Sequence, residues 1–202
     1  MKTQIITIFS VLVLALGVTN STKAATVKNA DNNYTILTDI SAINKIEVRG
    51  NVQLYVSDGT ADQVKVYNKY YSESALVQSK NGVLRITSYQ TEKLVVWVTA
   101  NDLRAISAFD NAEVKSFGNI SKIEFDVDLH NNASAKLDLD AFSASITVKD
   151  DAKAHLSGTI NDYTYKCDCE ENVDHKDLVA AHTSKLLAPV VVTAKAFDLA
   201  DL

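Results

Sequence analysis

An all-β fold is the expectation for this sequence, and three observations carry it. Apolar residues alternate with period two from Tyr34 to about Ala100. A repeat of about twenty residues follows Leu103. No stretch keeps a helical period through three turns, the pattern that marks an amphipathic helix. Together these predict N-terminal hairpins and antiparallel strands leading into a two-layered, β-helix-like β-solenoid or a stack of hairpins.

The first segment stands apart from that fold. Met1-Lys2 gives a positive start, Ile5 to Val18 is largely apolar, and Thr19 to Ala25 is mostly small and polar. These are the three parts of a secretory signal. The apolar run is about 14 residues, short of the roughly 20 that a membrane-spanning helix needs. Cleavage is expected after Ala24, so residues 1–24 are a signal peptide, 25–42 an extension and 43–202 one β domain. Within that domain, 43–102 is the hairpin half and 103–202 the repeat half. No cysteine near the exit offers a site for a lipid anchor. The expectation is export, to the periplasm, the cell surface or the medium, with no stable membrane span after cleavage.

Losing Lys2 and Lys23 from 20 basic side chains leaves 18 against 25 acidic ones. Nucleic-acid binding rests on cationic contacts to phosphate, so this balance disfavours it. About 178 mature residues suffice for one real core. The two cysteines, Cys167 and Cys169, are not needed as staples in a domain of that size. On a strand, residues i and i+2 lie near the upper distance limit for a disulfide.

In the first half, Val52, Leu54 and Val56 alternate with polar or amphipathic neighbours. Asp58 to Asp62 reads as a turn, and Val64 and Val66 resume the alternation, which is a β-hairpin signal. Asn81-Gly82 marks a second turn ahead of Leu84 and Ile86. Leu94 to Val98 is dense in β-formers. Asn68 to Ala75 is the one stretch that suits a bulge or a helical turn. With one proline and six glycines, the turns must rely mostly on Asn and Asp.

In the second half four segments align, running Ile106–Ala112, Val127–Ala133, Ile146–Ala152 and Cys167–Val173. Their last residues are spaced by 21, 19 and 21. Asn111, Asn132, Asp151 and Asn172 share one slot, where a tight turn favours residues that tolerate left-handed backbone. Two inward columns follow, Ile106, Val127, Ile146 and Cys167, and beside it Ala108, Leu129, Val148 and Cys169. They should stack as a core, with the cysteines as small apolar fillers. After the turn, Lys115, Lys136, His155 and Lys176 form a basic ladder. A solvated face that discourages edge pairing is the simple reading of it; binding of an anionic polymer is the functional one. Leu178 to Leu187 reads as a degenerate fifth repeat or a short helix, and the segment from Pro189 as a closing strand.

The order of segments resembles a known family. Ile46-Glu-Val-Arg-Gly-Asn-Val-Gln-Leu-Tyr-Val, Asn81-Gly-Val-Leu-Arg-Ile-Thr, Leu94-Val-Val-Trp-Val-Thr-Ala and Leu103-Arg-Ala-Ile-Ser, followed by short β repeats, are similar to the auto-transporter adhesin head domain, or head GIN domain, of Bacteroidetes-type bacteria. The resemblance runs from about Ile43 to the C-terminus. It implies a two-sheet β superhelix, a role in adhesion and no established catalytic residues. The family turns on Gly-Ser-Gly motifs, whereas this chain turns on Asn and Asp, which backbone geometry allows.

No catalytic motif emerges. His130, His155, His175 and His182 belong to no nucleophile elbow or zinc motif. Asp126, Asp128, Asp138 and Asp140 should point outward, and paired carboxylates on such a face are the alternative reading, a carbohydrate-active enzyme. Asp150-Asp151 and Glu170-Glu171-x-x-Asp174 lack EF-hand spacing. Tyr67, Tyr70, Tyr71, Tyr89 and Trp97 are candidates for stacking on sugar rings. The expected function is therefore an exported, non-enzymatic surface or envelope scaffold that adheres to a polysaccharide or protein partner. A periplasmic interaction module is a further alternative. No cofactor or metal is expected.

Overall fold

The computed structural model describes residues 26–28, 34–37, 40, 42–67 and 76–186. The expected signal peptide, the Asn68–Ala75 stretch and the segment from Pro189 lie outside the described residues. Among the described residues fourteen strands form in chain order: β1 (Thr26–Lys28), β2 (Thr35–Leu37), β3 (Lys45–Gly50), β4 (Val52–Asp58), β5 (Gln63–Tyr67), β6 (Leu76–Lys80), β7 (Val83–Ser88), β8 (Leu94–Ala100), β9 (Ala105–Phe109), β10 (Glu113–Ser116), β11 (Ile120–Leu129), β12 (Ser134–Val148), β13 (Lys153–Cys167) and β14 (Val173–Lys185). Among the described residues the one helical element is a 3-10 turn at Glu170–Asn172. The protein is all-β.

The strands join into one mixed sheet that curls at β12. The first half of β12 pairs with β10, which continues through β4, β8, β5, β2 and β1. The second half pairs with β11, which continues through β9, β3, β7 and β6. Both arms turn their apolar residues onto one core that includes Leu54, Ile86, Val96, Ile106, Val114, Leu129, Leu137 and Ile146. Strict alternation makes this possible, as in β8, where every second residue from Leu94 is buried. Each such aliphatic side chain contributes about 1.5–3 kcal/mol by leaving water.

Most pairs are parallel. Val114 lies opposite Leu54 and Ala135, and Val127 opposite Ile106 and Ile146. Antiparallel strands finish the sheet at its early edges, β8 with β5, β5 with β2 and β2 with β1 on one arm, and β7 with β6 on the other. The expected hairpin of β4 with β5 does not form, because β8 lies between them and pairs with both. The acids of that connection hold other chain segments instead. Asp62 accepts hydrogen bonds from the backbone N–H of Ile43 (2.6 Å) and Asn101 (2.8 Å). Asp58 accepts one from Ser121 N–H at 2.6 Å and pairs with Lys122. The Asn81-Gly82 turn does join an antiparallel pair, β6 with β7, through left-handed backbone at both residues.

The last rung departs from the sequence alignment. Tyr165, not Cys167, lies opposite Ile146, and Cys167 lies opposite Val148. Cys169 lies beyond the strand and is exposed. The reason is the hydrogen-bonded register, which runs unbroken from Lys153 to Cys167 along β12. That register buries Tyr163 and Tyr165, at 2% and 7% exposure. Their rings stack at 5.3 Å, and His175 meets both edge-on. The column thus passes from aliphatic rungs to Tyr165 and then to Lys185 opposite it. Burial pushes the Tyr163 phenol well above its ordinary range and raises the Cys167 thiol. As far as Lys185 the stretch from Leu178 is not the short helix of the two readings; it is the second part of β14, laid parallel along β13.

Candidate functional site

The corners come first, because they set which side chains reach the outer surface. Phe109–Ala112, His130–Ala133 and Lys149–Ala152 each close with a backbone hydrogen bond from the fourth residue's N–H to the first carbonyl. Ala112, Ala133 and Ala152 are fully buried at the inner end of each corner. The left-handed residue is Asp110, Asn131 or Asp150, not the expected Asn111, Asn132 or Asp151. Both central positions carry Asn or Asp, and the backbone places the first of the two at positive φ. The fourth corner differs again, since Asn172 ends a 3-10 turn whose preceding Cys169 is extended. The corner side chains link successive layers. Tyr89 donates to Asp110, Asn131 donates to Asp110 from its amide, and Asn131 N–H donates to Asp150, each at 3.0 Å.

Beyond the corners, strand alternation sends every second side chain outward. On the β8–β4–β10–β12–β13 face these residues form one line. Trp97 lies opposite Tyr55, Tyr55 opposite Lys115, Lys115 opposite Lys136, and Lys136 opposite His155. Asp174, not Lys176, occupies the next position. Lys176 lies two residues further along β14, at the register shift between His155 and Ser157, and Asp174 pairs with His155 at 3.0 Å. Lys65 extends the other end, opposite Trp97.

The aromatic end of this band is a run of touching rings. Tyr55 stacks on Trp97 at 4.6 Å, Phe117 tilts against Trp97 at 5.2 Å, and Tyr67 lies 6.4 Å from it. Tyr34 follows Tyr67 at 5.1 Å. Phe117 is 63% exposed although apolar. Gly118 makes this placement possible, because its φ of +81° turns the chain immediately after Phe117. Phe117 N–H is tied to the Val56 carbonyl at 2.7 Å. Tyr55, Phe117, Lys115, Lys136 and Asp138 border a groove of about 340 Å³. A second groove of about 300 Å³ shares Lys115 and Lys136 and continues to Lys153 and His155.

Charge on the band is uneven. Glu113 is paired with both Lys93 and Lys115, and its hydrogen bond from Lys93 holds its carboxyl below the usual range. Lys65, Lys136 and Lys153 take no salt bridge to a described acid within 4 Å. Asp174 lies at the far end, its carboxyl lowered by the Lys176 N–H and by His155. The sequence pointed to Lys115, Lys136, His155, Trp97 and Tyr67; Tyr55 and Phe117 were missed. Tyr55 stood in an outward slot of an alternating strand, and Phe117 sat before an Asn-Gly-like turn element, Gly118-Asn119. Tyr89 lies elsewhere, at the corner, and Tyr70 and Tyr71 lie outside the described residues.

The outward aspartates do not form facing pairs. Asp126 and Asp128 lie opposite Ser145 and Thr147, and Asp138 and Asp140 opposite Ser157 and Thr159. Asp128 instead pairs with His130 at 2.9 Å, His130 stacks on Phe109 at 4.8 Å, and the Arg49 guanidinium lies over the Phe109 ring, 3.7 Å from its centroid. Among the described residues no group of three His, Cys, Asp or Glu side chains is placed to hold a metal ion, and no helix is long and apolar enough to cross a membrane.

A family model described as "Putative auto-transporter adhesin, head GIN domain" matches residues 42–188. A "putative adhesin" from Parabacteroides distasonis is similar in structure, with a TM-score of 0.53 at 16% identity over 77% of this chain and 78% of that one. A "putative adhesin" from Bacteroides fragilis gives a TM-score of 0.43 at 12% identity, over 76% of this chain and 97% of that one. No curated protein matches.

Proposed function

The chain belongs to the auto-transporter adhesin, head GIN domain family, and from that premise we propose that it is an exported, non-enzymatic envelope scaffold that adheres through its outward band from Trp97 to His155. The observation that carries this reading is the line of cross-strand neighbours Trp97, Tyr55, Lys115, Lys136 and His155. Five successive strands present one side chain each, and an extended partner lying across the strands meets all of them. Trp and Tyr are among the side chains that dominate binding surfaces. The relatives' names support adhesion as a class of role. Export is supported by the charge and hydropathy of the first 24 residues.

The finer architecture belongs to the same proposal. We read the parallel pairs as successive coils of a β-solenoid with a repeat of about twenty residues, closed at its early end by β5, β2 and β1 and by β6. The spacing of the corner hydrogen bonds supports it: Asn131 reaches Asp110 21 residues back and Asp150 19 residues on.

The test uses the full chain expressed in a diderm host and recovered after export. The expected result is an N-terminus at Ala25 and retention of isolated envelope polymer by the immobilised protein. Trp97→Ala should lower retention at least tenfold, the loss of one outward aromatic anchor. A chain recovered from the cytoplasm with residues 1–24 intact, or retention indifferent to Trp97→Ala, overturns the reading. Release of soluble sugar from a glycan panel, lost in Asp128→Asn, would favour the enzyme instead.

A further inference from the structure

We propose that the band is a binding site for an anionic polysaccharide, with Trp97, Tyr55 and Phe117 as the platform for sugar rings and Lys115 and Lys136 as the contacts to its carboxylates. This deepens the adhesive reading above and rests on it. Three observations lead to the ligand's chemistry.

The first is shape. Neighbouring strands are about 4.8 Å apart, so Trp97 and Lys136, three strands apart along the line, are separated by about 14 Å. A sugar ring is about as long as one strand spacing. A glycan running across β8, β4, β10 and β12 therefore offers successive rings to successive side chains. The grooves bordered by Phe117 and by Lys136 are open and continuous, which suits a chain rather than a small molecule.

The second is the exposed apolar surface itself. Phe117 is held out over Trp97 by a left-handed glycine and a short backbone hydrogen bond. An exposed ring in a fixed position presents a flat apolar face at low entropic cost. The apolar C–H faces of sugar rings pack on such surfaces.

The third is charge. The whole chain is acidic, at −5, yet Lys65, Lys93, Lys115, Lys136 and Lys153 gather along this band, with Glu113 the acid set between Lys93 and Lys115. Lys93 and Lys115 are occupied by Glu113 in part. Lys136 is exposed and lies beside Lys115 with no acid between them. Like charges in adjacent positions repel, and an arriving carboxylate relieves both. Glu171 and Asp174 flank the β13 end and Asp138 lies on β12 two residues past Lys136, so the anionic groups of the ligand belong directly over Lys115 and Lys136. A polyphosphate spaces its charges one per phosphate, closer than the one carboxylate per sugar ring of a polyuronate, and would bring more of them against those same acids, which favours the wider, uronate-type spacing.

The experiment measures binding of the full exported chain to immobilised polygalacturonate, to neutral dextran and to a single-stranded oligonucleotide, at low and at physiological salt. The expected result is binding to polygalacturonate that weakens with salt, since charge contacts are screened over about 8 Å at 0.15 M. The Lys115→Gln/Lys136→Gln pair should weaken it about tenfold or more, and Lys115→Arg/Lys136→Arg should restore it. Trp97→Ala should weaken it too. Both variants keep the buried face intact, and an unchanged melting transition verifies that. Equal binding to dextran, equal or tighter binding to the oligonucleotide, or indifference to the glutamine pair overturns the proposal. If envelope polymer is still retained through Trp97 while the glutamine pair has no effect, adhesion stands and the anionic ligand falls. If protease treatment of the envelope material abolishes retention, the occupant is a protein and the polysaccharide falls.

Discussion

Asp110, Asn131 and Asp150 stand at φ of 61°, 59° and 57°, a conformation that costs most residues roughly 1–2 kcal/mol. Asn and Asp pay less there because their short polar side chains bond locally. Here those bonds also run between layers, from Asn131 to Asp110 and from Asn131 N–H to Asp150. Two contributions are therefore separable at one position. Asn131→Gly keeps the backbone relaxed and loses the amide, whereas Asn131→Ala loses the amide and adds strain. We expect Asn131→Ala to cost about 2 kcal/mol and Asn131→Gly about 1 kcal/mol, read from urea unfolding midpoints. Equal costs would show that backbone conformation is not what selects Asn. The sequence showed that a left-handed residue was needed in this slot but placed it one residue late. With Asn or Asp at both central positions, composition alone has no means of choosing between them.

Strands raise a different question, which is how much of the pairing a one-dimensional pattern reveals. The pairing of β11 with β12 was legible, because their apolar pairs recur at a constant spacing with like corners. The contribution of β3 and β4 was not. They lie parallel to β9 and β10, but β5 to β8 intervene in sequence and break the period. The insertion of β8 between β4 and β5 is non-local in the same way, so the junction of Trp97 and Tyr55 with the lysine ladder could not be read. The last corner failed for another reason: Asn172 looks like the earlier corners, while the register of β13 is set by burying Tyr163 and Tyr165. A test at this scale concerns how closely β12 and β13 approach. Gly158 has a φ of +101°, and an added Cβ would lie 2.1 Å from the Leu139 carbonyl oxygen. Gly118 has a φ of +81° and open space around it. Gly118→Ala should cost about 1 kcal/mol, the backbone strain alone. Gly158→Ala should cost about 3 kcal/mol or more, because a strand must also move. Comparable unfolding midpoints for the two variants would mean that the β12–β13 contact yields freely.

For the molecule as a whole, pH sets two opposing limits on stability. Glu113, Asp174, Glu170 and Asp102 all have carboxyls below their ordinary values in the folded chain. Their contribution is present above the usual carboxylate range and fades as pH falls through the lowered values. Solvent screens these surface pairs, so the acid loss should be gradual. The alkaline limit is of another kind. Tyr163 is buried, with a phenol raised above its ordinary value of 10.0 chiefly by burial. Below pH 10 the folded and unfolded chains both hold that proton. Above it the unfolded chain releases the proton and the folded chain does not, so stability falls steadily with rising pH. The unfolding midpoint should therefore be nearly flat through neutrality, decline gently below about pH 4.5 and drop steeply above about pH 10. Tyr163→Phe separates the phenol from the lysines, which also lose charge in that range. Among the described residues its hydroxyl makes one long contact, 3.5 Å, to His175, so the variant should match the parent at pH 7 and lose less stability at pH 11. An alkaline limb identical in parent and variant would assign the loss to the other groups that titrate there, the raised Cys167 and Tyr165 and the surface lysines, and remove Tyr163 from the account.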